Sequence, residues 1–334
     1  MSASETVRTA SGYHWTPSTL IVRFFAWTIV GTLFAYLLNV YLTFWRGWPG
    51  ADSAFGADGS GAAWLQLLIY LLSVAGPAVF VAVTKERTLR EDDAAISAIA
   101  AYIARFAFWV VFLIGLVDGL VSFLRVEEFL EYFVGADITT QIGRSAYRAP
   151  YIHFPLVVAS FVLAAVTRTL GFTWLALLVV IAELQIVVSR FVFSYEQAFM
   201  GDMVRFWYGG LFLFSSAYTL IEEGHVRVDV LYSGFTDRTK GVVNAAGALL
   251  LGLPLCWVIL IIGLGQSTAI ITSPILRLEV SQSGFGMYVK YLLAGYLAIF
   301  AITMVIQFAA YLLDGVADYR GDPGKQKHES DITH

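Results

Sequence analysis

Charged residues are scarce in this chain: Asp, Glu, Lys and Arg make up 14% of its 334 residues, whereas soluble domains contain about a quarter. The sequence therefore lacks the polar surface that an ordinary soluble domain presents to water. Hydrophobic residues, at 58%, occur instead in repeated runs. These runs of about 20 residues match a hydrocarbon core about 30 Å thick. The composition predicts an all-α integral membrane protein surrounded by lipid.

Residues that build cofactor and catalytic sites are also few. The one cysteine, Cys256, lies inside an apolar run, which excludes an internal disulfide or thiolate metal cluster. Of five histidines only His153 lies at the end of an apolar segment, so the paired helical histidines that hold haem are missing. The sequence contains no P-loop, nucleophile elbow or H-E-x-x-H motif. We therefore expect neither enzyme activity nor a cofactor.

A basic surface for nucleic acid is missing as well. The net charge is −4, and Lys and Arg form no stripe along the chain. Nucleic-acid-binding domains concentrate positive charge on one face. The sequence therefore predicts no nucleic-acid partner.

Eight apolar segments predict about eight transmembrane helices. They are residues 19–45, 62–83, 95–124, 151–168, 172–194, 203–221, 241–264 and 287–313. The first is longer than the hydrophobic part of a signal peptide, so we expect it to be retained. The fourth and fifth are separated only by the residues around Arg168 and Gly171. A tight hairpin is favoured there over one long kinked helix, which would extend about twice the bilayer thickness.

The distribution of Lys and Arg predicts that both termini face the cytoplasm, because cytoplasmic loops collect these residues. In this orientation twelve lie on the cytoplasmic side, namely Arg8, Arg23, Lys85, Arg87, Arg90, Arg168, Arg227, Arg238, Lys240, Arg320, Lys325 and Lys327. Five lie on the opposite side, namely Arg46, Arg125, Arg144, Arg148 and Arg277. An even number of spans is needed for both termini to share one side, and eight spans satisfy this condition.

Three regions are predicted along the chain. Residues 1–168 form an additional N-terminal transmembrane region, residues 169–318 a transmembrane domain, and residues 319–334 a polar cytoplasmic tail. The Gly- and Ala-rich residues 50–63 predict a flexible external loop. Residues 126–150 form a longer external segment, for which a solvated loop and an amphipathic interfacial helix are equally compatible with the sequence.

Four ionisable residues deep in the spans or near their ends are candidates for intramembrane roles, namely Arg105, Asp118, Glu183 and Arg190. Charged groups are costly in lipid unless they face protein or a cavity. A proton or sodium relay would show several acids converging within the spans, so a structural role between helices is favoured over ion coupling. Arg105 and Glu183 lie at similar depths, and we expect them to form an ion pair. Asp118 and Arg190 are also matched in depth.

Small residues mark two helix-packing faces. Gly115 and Gly119 form a G-x-x-x-G pattern in the third span, which allows close helix approach. The sixth span has a similar strip, made of Gly209, Gly210, Ser215 and Ser216. Both are packing faces, and neither specifies a substrate.

The strongest motif lies in residues 190–232. It consists of RFVF at residues 190–193, the pair Ala217 and Tyr218, and a G-x-H-x-R-x-D pattern made of Gly224, His225, Arg227 and Asp229. This arrangement resembles the small, DctQ-like membrane subunit of tripartite ATP-independent periplasmic (TRAP) transporters. The resemblance covers about residues 172–313, so the last four spans resemble the four-helix unit of that subunit. Gly201 and Asp202 stand where the family usually carries an acidic pair, and the four N-terminal spans have no family counterpart.

The resemblance implies a scaffold subunit in the bacterial inner membrane. In this family a periplasmic binding protein captures an organic acid, and a large permease subunit carries the transport pathway. An ion gradient, typically of sodium, drives uptake by symport while the small subunit braces the large one. The implied partners are therefore the large subunit, the periplasmic substrate-binding protein and membrane lipid. The substrate would be set by the other two proteins.

The G-x-H-x-R-x-D segment is a candidate for contact with a partner. His225, Arg227 and Asp229 alternate with valines, a period of two that is typical of an extended segment with its polar groups on one face. We expect a clamp in which Arg227 and Asp229 hydrogen-bond backbone or a partner subunit. An ordinary positively charged loop is the alternative. We place the subunit contact on this segment, Tyr218 and the small-residue strip of the sixth span.

Two other function classes stay open at this point. One is a self-contained secondary transporter with two four-helix repeats around a midplane site. The other is a structural or assembly membrane protein unrelated to transport. Residues 1–168 and 172–313 show no self-similarity, and matched helix interruptions are missing. The scaffold subunit is therefore favoured.

Overall fold

The computed structural model describes residues 15–56, 59–169, 171–221, 232, 234–281 and 285–324. In chain order the helices are α1 (Pro17–Arg46), α2 (Gly61–Val83), α3 (Leu89–Val126), α4 (Leu130–Val134), α5 (Ala136–Ile142), α6 (Ser145–Val166), α7 (Phe172–Phe193), α8 (Ala198–Ile221), α9 (Asp237–Leu264), α10 (Thr272–Arg277) and α11 (Lys290–Arg320). A 3-10 turn follows α1, and one turn of π-helix lies within each of α6 and α9. No strand occurs in this part of the chain, so the predicted all-α class is confirmed.

Seven of the described helices are long and apolar enough to cross a membrane: α1, α2, α3, α6, α7, α9 and α11. They confirm the transmembrane character that the composition predicts. The sixth predicted span, residues 203–221, lies within α8. This helix has 24 residues but is not among the seven helices that are apolar enough to cross a membrane. Whether α8 is counted as a span is therefore judged from its packing against α3, described below.

Local sequence sets the ends of α1. The Thr16 hydroxyl accepts a hydrogen bond from the Thr19 N–H, and the Thr19 hydroxyl accepts one from the Thr16 N–H. Pro17, which has no N–H to satisfy, begins the helix. Gly47 ends it in the left-handed conformation with φ 69°, which glycine adopts without a Cβ clash.

The chain divides into two compact units, of which the first comprises residues 1–99, 219–257 and 304–334. Within it α1 packs on α2 at a close approach, because a Cβ on Gly31 would lie 2.8 Å from the Ser73 carbonyl oxygen. α9 and α11 approach each other similarly at Gly241 and Gly315, each of which faces the backbone of the other. Such small-residue contacts bring helix backbones together in a membrane.

The second unit comprises residues 100–218 and 258–303. Its core consists of buried apolar and aromatic side chains from α3, α7, α8, α11 and the segment before α11. They are Ala107, Phe108, Val111, Ile114, Leu175, Ala182, Phe199, Met200, Phe206, Trp207, Phe214, Met287, Val289 and Tyr296. The C-terminal part of α3 thus packs within this unit against helices of the region that carries the family resemblance.

Two contacts show that α6 runs antiparallel to α3 in the second unit. His153, in the first half of α6, lies beside Asp118, and Ala164, near the end of α6, accepts a hydrogen bond from Arg105. Because Asp118 follows Arg105 by thirteen positions in α3, the two helices have opposite directions.

α7 runs in the same direction as α3, so the chain reverses between α6 and α7. Gly171, at the start of α7, packs against the Phe108 ring, and Tyr195, just after its end, donates a hydrogen bond to Glu127 at 2.6 Å. Gly171 makes the turn with φ 80°. These contacts confirm the predicted reversal and exclude one long kinked helix.

α8 packs along α3 at the predicted G-x-x-x-G face. A Cβ on Gly119 would lie 3.3 Å from Met203 Sδ, and a Cβ on Gly115 would overlap the Trp207 indole. Trp207 Nε1–H donates to the Val111 carbonyl at 3.2 Å. The close approach predicted for this face is therefore confirmed. α8 runs antiparallel to α3 and contacts it over several turns. We therefore count α8 as a membrane helix, which brings the number of membrane helices to eight.

The segment after α3 is helical in part. α4 and α5 are short helices joined at Gly135, and Tyr132 and Phe133 are 87% and 73% exposed. This helical structure favours the interfacial interpretation over a solvated loop, because exposed aromatic side chains suit the headgroup region.

Candidate functional site

Asp118, in α3, is the centre of a buried polar network in the second unit. Arg148 Nη1 donates to Asp118 Oδ1 at 2.9 Å, and the Tyr288 backbone N–H donates to Oδ2 at 2.8 Å. Both charged side chains are fully buried. Each charge thus compensates the other in a place where water cannot solvate it.

His153 links this ion pair to α11. Its Nε2 lies 3.0 Å from Asp118 Oδ1 and its Nδ1 lies 2.6 Å from the Tyr291 hydroxyl. In a neutral imidazole, donation from Nε2 to the carboxylate leaves Nδ1 to accept from Tyr291. His153 ends the π-helical turn Ala149–His153, a local widening of the helix that changes the direction of its side chains.

Arg148 also contacts the chain before α6. Its Nε donates to the Ile142 carbonyl at 3.0 Å, and its guanidinium lies 3.9 Å from the centre of the Tyr288 ring. The Tyr288 hydroxyl donates to the Gly143 carbonyl at 2.7 Å and accepts from Arg125 at 2.8 Å. The ring face therefore offers the buried guanidinium a second favourable contact.

A second carboxylate binds the same segment before α11. Asp202, in α8, accepts a hydrogen bond from the Met287 N–H at 3.1 Å and lies 3.3 Å from Arg205. Two successive backbone N–H groups, of Met287 and Tyr288, thus point at carboxylates of α8 and α3. Hydrogen bonds to carboxylates are among the stronger ones in proteins, so this segment is fixed to both helices.

The arrangement is suited to holding helices together. Asp118 accepts from three donors, namely Arg148, His153 and the Tyr288 N–H, which use most of the acceptor capacity of a carboxylate. Among the described residues no group of three or more His, Cys, Asp or Glu side chains could hold a metal ion. The geometry favours a structural role over ion coupling.

An open recess of about 430 Å³ lies beside the network. It is lined by Ala146, Ala149, Pro150, His153, Phe154, Val157, Leu278, Tyr291 and Leu292. These lining residues include neither Lys nor Arg, the side chains that bind a carboxylate most strongly. The recess therefore offers an organic acid no strongly basic side chain.

The first unit contains its own buried ion pair. Arg23 Nε lies 2.6 Å from Asp92 Oδ2, and both side chains are fully buried. Arg23 also donates to the Thr84 carbonyl and hydroxyl at 2.8 and 2.9 Å, and Arg87 contacts the other oxygen of Asp92 at 2.8 Å. This cluster fastens α1 to the link between α2 and α3.

The predicted pair between Arg105 and Glu183 is wrong. Arg105 donates to the Ala164 carbonyl at 3.3 Å and lies over the Tyr102 ring, whereas Glu183 is exposed. Asp118 does not pair with Arg190 either. Arg190 lies 3.5 Å from Glu196, with both side chains largely exposed. Similar depth was insufficient because the side chains of a helix point in all directions around its axis.

The small-residue strip of α8 packs within its own chain. Cβ atoms on Gly209 and Gly210 would lie 3.4 Å from Tyr296 and 3.1 Å from Val111, and Ser216 donates to the Phe212 carbonyl. Ser215 makes the same local contact at 3.5 Å. A contact of this strip with another subunit stays a prediction.

The proposed clamp lies outside the described residues. His225, Arg227 and Asp229 belong to the part of the chain that the structure leaves undescribed, and only the backbone of Tyr218 is described, within α8. Their predicted role in a subunit contact therefore stays a prediction.

Arg148 and His153 were not among the predicted site residues. Arg148 was placed with the external arginines, and His153 at a helix end. A deep, unpaired Asp118 requires a cation or donor at its own depth, and these two residues lie near the start of the next predicted span, residues 151–168. That charge-balance argument could have identified them.

Comparison with known proteins finds a family model that matches the C-terminal part of the chain. Residues 176–317 match the family model described as "Tripartite ATP-independent periplasmic transporters, DctQ component". The match begins in α7 and ends in α11, and it confirms the resemblance recognised in the sequence. No curated protein and no solved structure matches the chain.

Proposed function

We propose that this chain is the small membrane subunit of a TRAP-type transporter and braces its large permease subunit. The observation that carries this proposal is the match of residues 176–317 to the DctQ component. The seven apolar helices support a multi-pass protein. We place it in the bacterial inner membrane with both termini in the cytoplasm.

The internal structure supports a bracing role. Both compact units contain fully buried ion pairs, Arg23 with Asp92 and Asp118 with Arg148. Such pairs are costly to break once formed, which suits a subunit that stays rigid while another moves. The carboxylate of Asp118 is occupied by protein donors, which argues against an ion pathway through this chain.

The transported substrate in this proposal is an organic acid, and a sodium gradient drives its uptake. The large subunit carries the pathway, and a periplasmic binding protein delivers the substrate. The N-terminal helices enlarge the scaffold. In support, Asp118 and Arg148 of the N-terminal region lie in one network with Tyr288 and Tyr291 of the matched region.

Reconstitution tests this function. The chain would be placed in proteoliposomes with a sodium gradient and candidate organic acids, alone and together with the large subunit and binding protein. We expect uptake only with all three proteins, and a stable complex between the two membrane subunits. Uptake by this chain alone would favour the self-contained transporter, and failure of any large permease to co-purify would favour an unrelated assembly protein.

A further inference from the structure

In the second unit, α7 carries an exposed acidic side chain, that of Glu183. Of its 22 residues only Leu175 and Ala182 are buried. Glu183 lies at the middle of the helix and is exposed. Its side chain forms no ion pair or hydrogen bond with another described residue. Val180 and Val187, on the same side of the helix, are 63% and 49% exposed.

Two other acidic side chains of the second unit, those of Asp118 and Asp202, are buried and paired. Asp118 is fully buried against Arg148 and His153, and Asp202 is buried against Arg205 and the Met287 N–H. The described part of the chain therefore satisfies these two carboxylates and supplies no charged or hydrogen-bonding partner to the Glu183 side chain at mid-span. A carboxylate at this depth is unfavourable in lipid unless protein covers it.

We propose that the α7 face formed by Val180, Glu183 and Val187 docks on a transmembrane helix of the large permease subunit. The partner helix presents an Arg, Lys or His side chain to the Glu183 carboxylate. This inference rests on the proposed function, which supplies the partner. Charge complementarity selects the occupant, because lipid tails offer an exposed carboxylate neither a cation nor a hydrogen-bond donor.

The physics of helix association in lipid supports this assignment. Lipid tails are as apolar as the valines beside Glu183, so burial of those valines gives little drive for docking. A hydrogen-bonded charge pair supplies specificity instead. α7 also opens the region that matches the DctQ component, which begins at residue 176. The docking face thus lies in the part of the chain that resembles a partner-binding subunit.

Co-purification of the large subunit with full-length variants tests the role of the carboxylate. We expect Glu183→Leu to lower the affinity for the large subunit by about three- to twentyfold. Glu183→Gln, which keeps hydrogen-bonding capacity, should lose less. Arg190→Leu is the matched control, because it removes the other exposed charge of α7 near the helix end. Monodispersity of each variant alone should be unchanged, since Glu183 supports no described contact within the chain.

A photo-crosslinking side chain at position 180 or 187 tests the face itself. We expect an adduct with the large subunit from both positions and none from the equally exposed Leu71 of α2. If the wild-type chain co-purifies with the large subunit but positions 180 and 187 trap only lipid or a second copy of this chain, the docking face is wrong and the proposed function stands. If the wild-type chain captures no large subunit at all, the proposed function fails. In that case the crosslinks still test the docking face. Adducts from positions 180 and 187 with lipid or with a second copy of this chain would overturn the proposed contact.

Discussion

The side chains whose single loss should destabilise this protein most are the oppositely charged ones that are buried together. Removing a charge from water is costly, and the interior of a bilayer offers little polar solvation to offset that cost. Asp118 and Arg148 offset this cost with hydrogen bonds to backbone groups as well as to each other. The loss of one partner therefore leaves the other charge buried and uncompensated.

Asp118→Asn should destabilise the protein by about 3–5 kcal/mol, the usual cost of breaking a buried pair from one side. Thermal unfolding in detergent, followed by tryptophan fluorescence, would measure the change. Replacing both partners, Asp118→Leu with Arg148→Met, should recover part of the loss because no charge is left unpaired. Arg190→Gln, at an exposed pair, should cost about 0–1 kcal/mol. Equal stability of Asp118→Asn and the wild type would contradict the structural role.

Gly115→Ala tests the contact between α3 and α8. The added methyl group would overlap the Trp207 indole, and overpacking of this kind typically costs about 1–3 kcal/mol. Gly76→Ala in α2 is the control, because a Cβ there meets nothing within 4 Å. Alanine favours helix over glycine, so the control should be neutral or stabilising. Similar melting temperatures for both variants would show that the close contact of Gly115 with Trp207 does not limit the stability of the protein.

At the scale of whole helices, direction follows from pairwise contacts. In the second unit α6 and α8 run against α3, while α7 runs with it. Four helices that alternate in this way imply successive membrane crossings. With α8 counted as a span, the number of crossings is eight, which agrees with the prediction that both termini lie on one side.

Cysteine labelling in intact cells tests this topology. Cysteines at exposed positions 86 and 237 should react only after the membrane is permeabilised, because the loops that contain them carry the excess of Lys and Arg. A cysteine at exposed position 137, in α5, should react from outside. The native Cys256 is buried and serves as an unreactive background. Labelling of position 237 in intact cells would reverse the C-terminal half and argue against α8 as a span.

At the scale of the molecule, the N-terminal region and the family-like region share compact units. The first unit combines residues 1–99 with 219–257 and 304–334, and the second combines residues from both sides of position 168. The boundary predicted at residue 168 remains a proposal, because these units group segments by packing and not by their order in the chain.

Deletion of residues 1–168 should therefore prevent stable folding of the remainder. It removes Asp118 and Arg148, which leaves the Tyr288 N–H without its acceptor, and it removes Phe108 and Val111 from the core. Size-exclusion chromatography in detergent would show aggregated or absent protein. Deletion of residues 325–334 is the control and should leave a monodisperse peak. A monodisperse fragment of residues 169–334 would indicate an independent four-helix unit.

The membrane class, the helical segments and the family resemblance could all be predicted from the sequence alone. These depend on local properties: the length of each apolar run, the turn residues between runs, and short motifs such as residues 190–193. The packing of Gly115 and Gly119 was also predictable, because small-residue spacing has the same meaning in most spans.

Which charged side chains contact each other depends on how the helices pack. The similar depth of Arg105 and Glu183 in the membrane predicted that they pair. The side chains of a helix point in different directions around its axis, however, and which of them face each other depends on how neighbouring helices pack. Arg148 precedes the π-helical turn in α6 and His153 ends it, and both contact Asp118 of α3. Such contacts join residues thirty or more positions apart, and a pattern within one segment carries no information about them.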